Sequence, residues 1–352
     1  MTHTDPRQGM VRPAFENLVP YMDDGPMAPL HLADNTNLFG TAPAVLEAIR
    51  LSSGDDATQY PPSSGPLLRE ALAAYLHVQP NEVVLGTGGD GVIDCAFRAF
   101  CEPGDTIAFP DPTFVMVRYF ATTNGLQRLP IPVRADATTD IEALCAANAA
   151  ATYVCAPNNP TGLQPTEAEI RFVLERANGF VMLDEAYAEF AGATLTPEIP
   201  QHGRAIIVRT FSKALGLAGM RIGFAVGEAS LMQEIEKARG PFAVSNVALR
   251  AATAVLTNGL AWVQQCVAAA LGARAELTAL LQERGFKPLQ SAANFLLVPV
   301  RDARETVRRL AARGISVRPF TRLTAIGDAV RITVGPSDAM RRVADALKEA
   351  AV

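Results

Sequence analysis

The sequence predicts an α/β protein: a large domain built on a mostly parallel sheet sandwiched by helices, followed by a smaller α+β domain. Three observations carry this. Short, continuously apolar runs recur between about residues 80 and 230, among them Thr152-Tyr153-Val154-Cys155, Phe180-Val181-Met182-Leu183 and Ile206-Ile207-Val208. Helical patterns separate them, and runs this apolar suit strands buried on both faces of a parallel sheet. Beyond about residue 240 the pattern changes to longer helices with short strands between them.

In order along the chain, residues 1 to about 35 are Pro-rich and irregular, and read as a segment packing with the small domain. Residues 36–240 make the large domain. Val83-Val84-Leu85 opens it and leads into a helix over Val92–Phe100. Thr106-Ile107-Ala108-Phe109, the three runs above and Ile222-Gly223-Phe224-Ala225-Val226 complete the strands. Residues 241–352 make the small domain. A long helix over Val263–Glu283 ends at Gly285. Strands near Phe295–Val298, Ile315–Val317 and Val330–Val334 alternate with helices over about 303–312 and 338–350.

Composition removes several function classes. The 352 residues suffice for one large domain and a smaller one, and 49% hydrophobic against 19% charged content describes a packed chain rather than a disordered one. A net charge of -5 without a basic run gives no nucleic-acid surface. No run of about 18 apolar residues supplies a membrane span, and the polar stretch Met1–Gly9 lacks the apolar core of a signal peptide. The five cysteines lack CxxC spacing and read as reduced residues of a cytoplasmic protein. The four scattered histidines give no metal site, so none is expected.

Five motifs remain. Thr210-Phe211-Ser212-Lys213-Ala214-Leu215-Gly216-Leu217-Ala218-Gly219-Met220-Arg221 follows an apolar strand. It is either an ordinary Gly-rich loop with a surface lysine, or a site where an amine meets an aldehyde while two hydroxyls and a guanidinium hold a phosphate. Aldehyde and phosphate on one small molecule describe pyridoxal phosphate. Gly86-Thr87-Gly88-Gly89-Asp90-Gly91 fits G-x-G-x-x-G. It suits a dinucleotide, any phosphate at a helix start, or merely a tight turn; no Gly-Lys-Ser/Thr follows, which excludes a Walker A loop. Asn158-Asn159-Pro160-Thr161-Gly162 is a rigid turn or a held amide. Asp184, ending Val181-Met182-Leu183, is a helix cap or a carboxylate for a pyridinium nitrogen, and Tyr187 lies three residues on. Arg331 interrupts the apolar strand Val330–Val334, which calls for an internal salt bridge or a substrate carboxylate.

In this order and spacing the motifs resemble the fold-type I (class I/II) pyridoxal-phosphate-dependent aminotransferases, and within them the histidinol-phosphate aminotransferases, over nearly the whole chain. The resemblance implies that Lys213 is the Schiff-base lysine and that Asp184 faces the pyridine nitrogen. Asn159 and Tyr187 would face the ring hydroxyl. Gly89, Asp90, Thr210, Ser212 and Arg221 would hold the phosphate, and Phe114 would stack on the ring. Tyr60 would reach the phosphate of a neighbouring subunit in a homodimer with shared sites. Arg331, with Arg318, Tyr21 and Asn159, would bind the substrate. Thr36, Leu38 and Gly91 depart from the residues usual in relatives. The implied reaction moves an amino group from histidinol phosphate to 2-oxoglutarate. Rival readings are an aromatic amino acid aminotransferase, a phosphothreonine-type decarboxylase on the same cofactor, a silent regulatory domain of this fold and, from the Gly86–Gly91 pattern, an NAD-dependent dehydrogenase.

Overall fold

A computed structural model describes residues 10–16, 18–21 and 28–351; the polar stretch Met1–Gly9 lies outside them. Among the described residues, twelve strands form three sheets. β1 (Leu30–His31) belongs to the smallest. Seven form the central sheet: β2 (Val83–Thr87), β3 (Thr106–Asp111), β4 (Gln127–Pro132), β5 (Ala151–Cys155), β6 (Phe180–Asp184), β7 (Ala205–Thr210) and β8 (Ile222–Gly227), in the order β2-β8-β7-β6-β5-β3-β4. The rest are β9 (Phe295–Pro299), β10 (Ile315–Ser316), β11 (Arg318–Leu323) and β12 (Gly327–Thr333). β1 pairs in parallel with β10, and β12 lies antiparallel between β11 and β9.

The central sheet is buried on both faces, as its apolar runs predict. Val83, Leu85, Ala205 and Ile207 pack into one core, and Val84, Ile206 and Val208 into another on the opposite face. β4, at the sheet's edge, is exposed or half-exposed along its length, and its two prolines tolerate that position. Neither β4 nor β11 carries an apolar run that would mark it in the sequence.

One direction matters for the site. β8 is antiparallel to both its neighbours, β2 and β7, while β7, β6, β5, β3 and β4 run parallel. The start of β8 therefore lies at the sheet edge where β2 and β7 end, and Arg221, just before Ile222, joins the loops there. Gly223 makes this possible: a Cβ on it would come within 2.3 Å of the Gly88 carbonyl carbon.

Helix Asn246–Asn258 packs on helices Pro43–Arg50 and Pro66–Leu76, and the 24-residue helix Leu260–Glu283 packs on helix Ser337–Ala350. Among the described residues no single helix is long and apolar enough to cross a membrane.

Candidate active site

The carboxyl ends of β2, β3, β5, β6 and β7 open into one cavity of about 550 Å³, roofed by β11, β12 and the segment after β1. Ligands bind at such strand ends because the loops there diverge and leave a crevice. Gly89, Asp90, Phe114, Asn159, Asp184, Tyr187, Thr210, Ser212, Lys213, Arg221, Arg318, Arg331 and Tyr21 all line it. Tyr60 does not: it is exposed and stacks on Phe242, with ring centroids 4.6 Å apart.

Lys213 stands in the middle. Its Nζ donates to the Asp34 carbonyl at 2.9 Å and lies 5.9 Å from the Tyr187 ring centroid. Burial, helped by the Arg331 charge, pushes its amine down to about 8 from 10.5. About a tenth is therefore neutral at pH 7, far more than for an ordinary lysine, and the neutral amine is the nucleophilic form.

Asp184 closes the floor at the end of β6 and is only 4% exposed. Tyr153 Oη donates to its Oδ2 at 2.6 Å and the Ala186 amide to its Oδ1 at 3.0 Å. Burial outweighs both bonds and pushes the carboxyl up to about 6 from 3.8. An ionised carboxylate kept this dry is stabilised by a cationic partner.

One end of the cavity is built for an anion. Arg221 Nη2 donates to Asp90 Oδ2 at 3.1 Å, and Thr210 Oγ1 and Ser212 Oγ lie 3.0 Å apart. Helix Gly88–Phe100 starts here and presents its first amides. Gly88 adopts φ +74°, which favours glycine, and a Cβ on it would stand 2.9 Å from Arg221 Nη2 and crowd the guanidinium. At Gly91 an added Cβ would lie 2.3 Å from Thr87 Oγ1.

The opposite end holds two arginines that are register partners, Arg318 on β11 and Arg331 on β12. Arg331 is 6% exposed. It donates to Asn159 Oδ1 at 2.6 Å and to the Ala33 carbonyl at 2.5 Å, and sits 5.4 and 5.6 Å from the Phe295 and Phe320 ring centroids. No carboxylate of the chain pairs with it among the described residues, and its buried Nε has no partner there. Of the two readings of this strand arginine, an internal salt bridge is not found among the described residues. Arg318 donates to Asp34 Oδ1 at 2.8 Å.

Sequence reasoning missed several members of this site. Tyr153 carries no signal in the sequence beyond its strand, yet it is the main side-chain donor to Asp184. Asn35, at φ +55°, donates to Tyr187 Oη at 3.0 Å, and its amide NH donates to Thr333 Oγ1 at 2.9 Å. Burial pushes the Tyr187 hydroxyl above its ordinary range. Thr113 donates to Asn158 Oδ1 at 2.7 Å and so braces the Asn159 turn. Thr36 also lines the cavity.

The donor set fits pyridoxal phosphate. A buried carboxylate, a depressed lysine amine and a corner with a guanidinium, two hydroxyls and a helix start line one cavity, with two arginines at its other end. The comparisons agree. The family model for aminotransferase class I and II matches residues 28–347. A histidinol-phosphate aminotransferase of Geobacillus sp. (strain WCH70) is 36% identical over 330 residues, 91% of this chain and 89% of that one. One from Caldanaerobacter subterraneus is 34% identical over 295 residues, 82% of this chain and 84% of its own. The crystal structure of histidinol-phosphate aminotransferase from Sinorhizobium meliloti in complex with pyridoxal-5'-phosphate superposes with a TM-score of 0.88 at 28% identity, covering 97% of each chain. The chain belongs to the aminotransferase class I and II family.

Proposed function

We propose that this protein is a pyridoxal-phosphate-dependent aminotransferase that moves the amino group of histidinol phosphate to 2-oxoglutarate. One observation carries the reading: Lys213, Asp184 and Arg221 share a single cavity with Arg331 and Arg318 at its far end. The curated relatives, whose names specify histidinol phosphate, support the choice of donor.

Pyridoxal phosphate, when bound, supplies an aldehyde for the lysine and a pyridine ring that withdraws electrons. The chain's residues do the rest. Arg221, Thr210, Ser212 and the amides of Gly89 and Asp90 grip the phosphate. Asp184, ionised and braced by Tyr153, holds the proton on the ring nitrogen. Tyr187, fixed by Asn35, and Asn159, fixed by Arg331, would face the ring hydroxyl, and Phe114 would cover the ring. Arg331 fixes the substrate's acidic group in a planar two-pronged contact. Lys213 would move the proton at the substrate carbon that bears the nitrogen.

Three further proposals accompany this reading. Residues 36–240 form the cofactor domain and 241–352 the small domain, with the N-terminal segment on the latter; the pairing of β1 with β10 supports this last placement. The protein is a homodimer in which Tyr60 completes the partner's phosphate site; its exposure, stacked on the exposed Phe242, supports that. It works in the cytoplasm, a compartment in keeping with five free cysteines.

The test is a donor screen. The holoenzyme is mixed in turn with histidinol phosphate, phenylalanine, tyrosine, glutamate and phosphothreonine, and loss of the lysine-bound cofactor's visible absorption is followed. Histidinol phosphate and glutamate should convert the cofactor to its aminated form fastest. A faster reaction with the aromatic amino acids would replace this donor assignment, and release of carbon dioxide from phosphothreonine would replace the reaction class.

A further inference from the structure

The substrate end of the cavity contains an acid as well as two arginines. Asp34 lies just after β1, and the pairing of His31 with Ser316 brings it beside the start of β11. Its Oδ1 accepts from Arg318 Nη2 at 2.8 Å and its Oδ2 lies 2.7 Å from His31 Nε2. His31 Nδ1 is in turn 2.7 Å from Ser316 Oγ, so the ring is held at both ends and fixes the carboxylate. Burial alone would raise the Asp34 carboxyl, but the contacts with His31 and Arg318 outweigh it and keep it ionised. Asp34, Arg318 and Arg331 all line the same cavity, and the residue before Asp34 supplies the carbonyl that Arg331 binds.

The two arginines are thus unequal. Among the described residues no carboxylate contacts Arg331, whereas Asp34 engages Arg318. A substrate with a single acidic group can take Arg331 and leave the Asp34–Arg318 pair intact. A substrate with a second acidic group that reaches Arg318 must compete with Asp34 for the guanidinium and approach its negative charge.

We propose that Asp34 is a specificity residue: it holds Arg318 against an incoming second acidic group, and so weakens the binding of doubly acidic substrates relative to singly acidic ones. This rests on the reading of the cavity as the substrate site. The pair is partly exposed, its side chains 21% and 36% accessible, so the effect is that of a moderately screened ion pair, roughly fivefold in affinity.

The experiment titrates the holoenzyme's visible absorption with glutarate and with valerate, which share a chain length and differ by one carboxylate. Asp34→Asn should tighten glutarate about fivefold and leave valerate within about twofold, with Asp34→Ala as a second variant behaving alike. In an Arg318→Gln background the Asp34→Asn gain should vanish. Glutarate binding unchanged or weakened in both Asp34 variants, or glutarate and valerate shifted equally, would overturn the role of Asp34 while leaving the substrate site standing. Failure of either diacid or monoacid to perturb the wild-type spectrum would overturn both.

Discussion

Asp184→Asn should stabilise the cofactor-free protein while disabling it. The carboxyl is pushed up to about 6 from 3.8, chiefly by burial. At about 1.4 kcal/mol per pKa unit, holding it ionised in the folded chain costs about 3 kcal/mol at neutral pH. The sign follows from proton counting. Between the unfolded and folded values the folded state binds the proton more tightly, so stability is lost as pH rises through that window. Asparagine keeps the shape and an acceptor for the Ala186 amide but carries no charge, so this loss disappears. Urea unfolding of both cofactor-free proteins, from about pH 4 to about pH 7, isolates the group, since all others cancel in the difference. That difference should move by about 2 kcal/mol in favour of the variant across the range. A difference independent of pH would refute the claim that Asp184 is held ionised against burial. With pyridoxal phosphate added, the variant should bind cofactor yet turn over slower by orders of magnitude.

Lys213→Ala should lose the lysine-bound absorption band and nearly all turnover; wild-type cofactor uptake should quicken as pH rises and level off above about 8, where the amine is neutral, as stopped-flow absorbance would record. Arg331→Ala should raise the half-saturating concentration of acidic substrates roughly 100-fold with cofactor retained, and Arg331→Lys should recover only part, both read from half-reaction titrations. Tyr153→Phe removes one bond to the Asp184 carboxylate, so the acid limb of the kcat profile should move upward by about one pH unit. Mixing Tyr60→Phe with Lys213→Ala subunits should restore one intact site per heterodimer; a fully active monomer in analytical ultracentrifugation would end the shared-site reading.

The parts of this site that are legible in sequence are those whose signal is local. Lys213 and Arg221 share one loop, Asp184 ends an apolar run, and Arg331 interrupts one. Tyr153 is invisible because its role depends on register: β5 lies beside β6 with Cys155 opposite Asp184, which aims the Tyr153 hydroxyl at the carboxylate. Asp34 and Asn35 sit in irregular chain that no periodicity marks, and their contacts reach residues 284 and 152 positions away. Strand direction was equally hidden. The apolar run Ile222–Val226 reads the same for either orientation, yet only the antiparallel one places Arg221 at the phosphate corner.

The central claim is that one lysine carries the cofactor and surrenders it to an amino donor. The chain has four lysines, Lys213, Lys237, Lys287 and Lys348, so the claim can be read peptide by peptide. Borohydride reduction of the holoenzyme, followed by proteolysis and mass spectrometry, should place the cofactor's added mass on Lys213. Prior incubation with histidinol phosphate and no acceptor should abolish that mass, and 2-oxoglutarate should restore it. The same mass on Lys237, Lys287 or Lys348, or labelling of Lys213 that histidinol phosphate leaves untouched, would contradict the account.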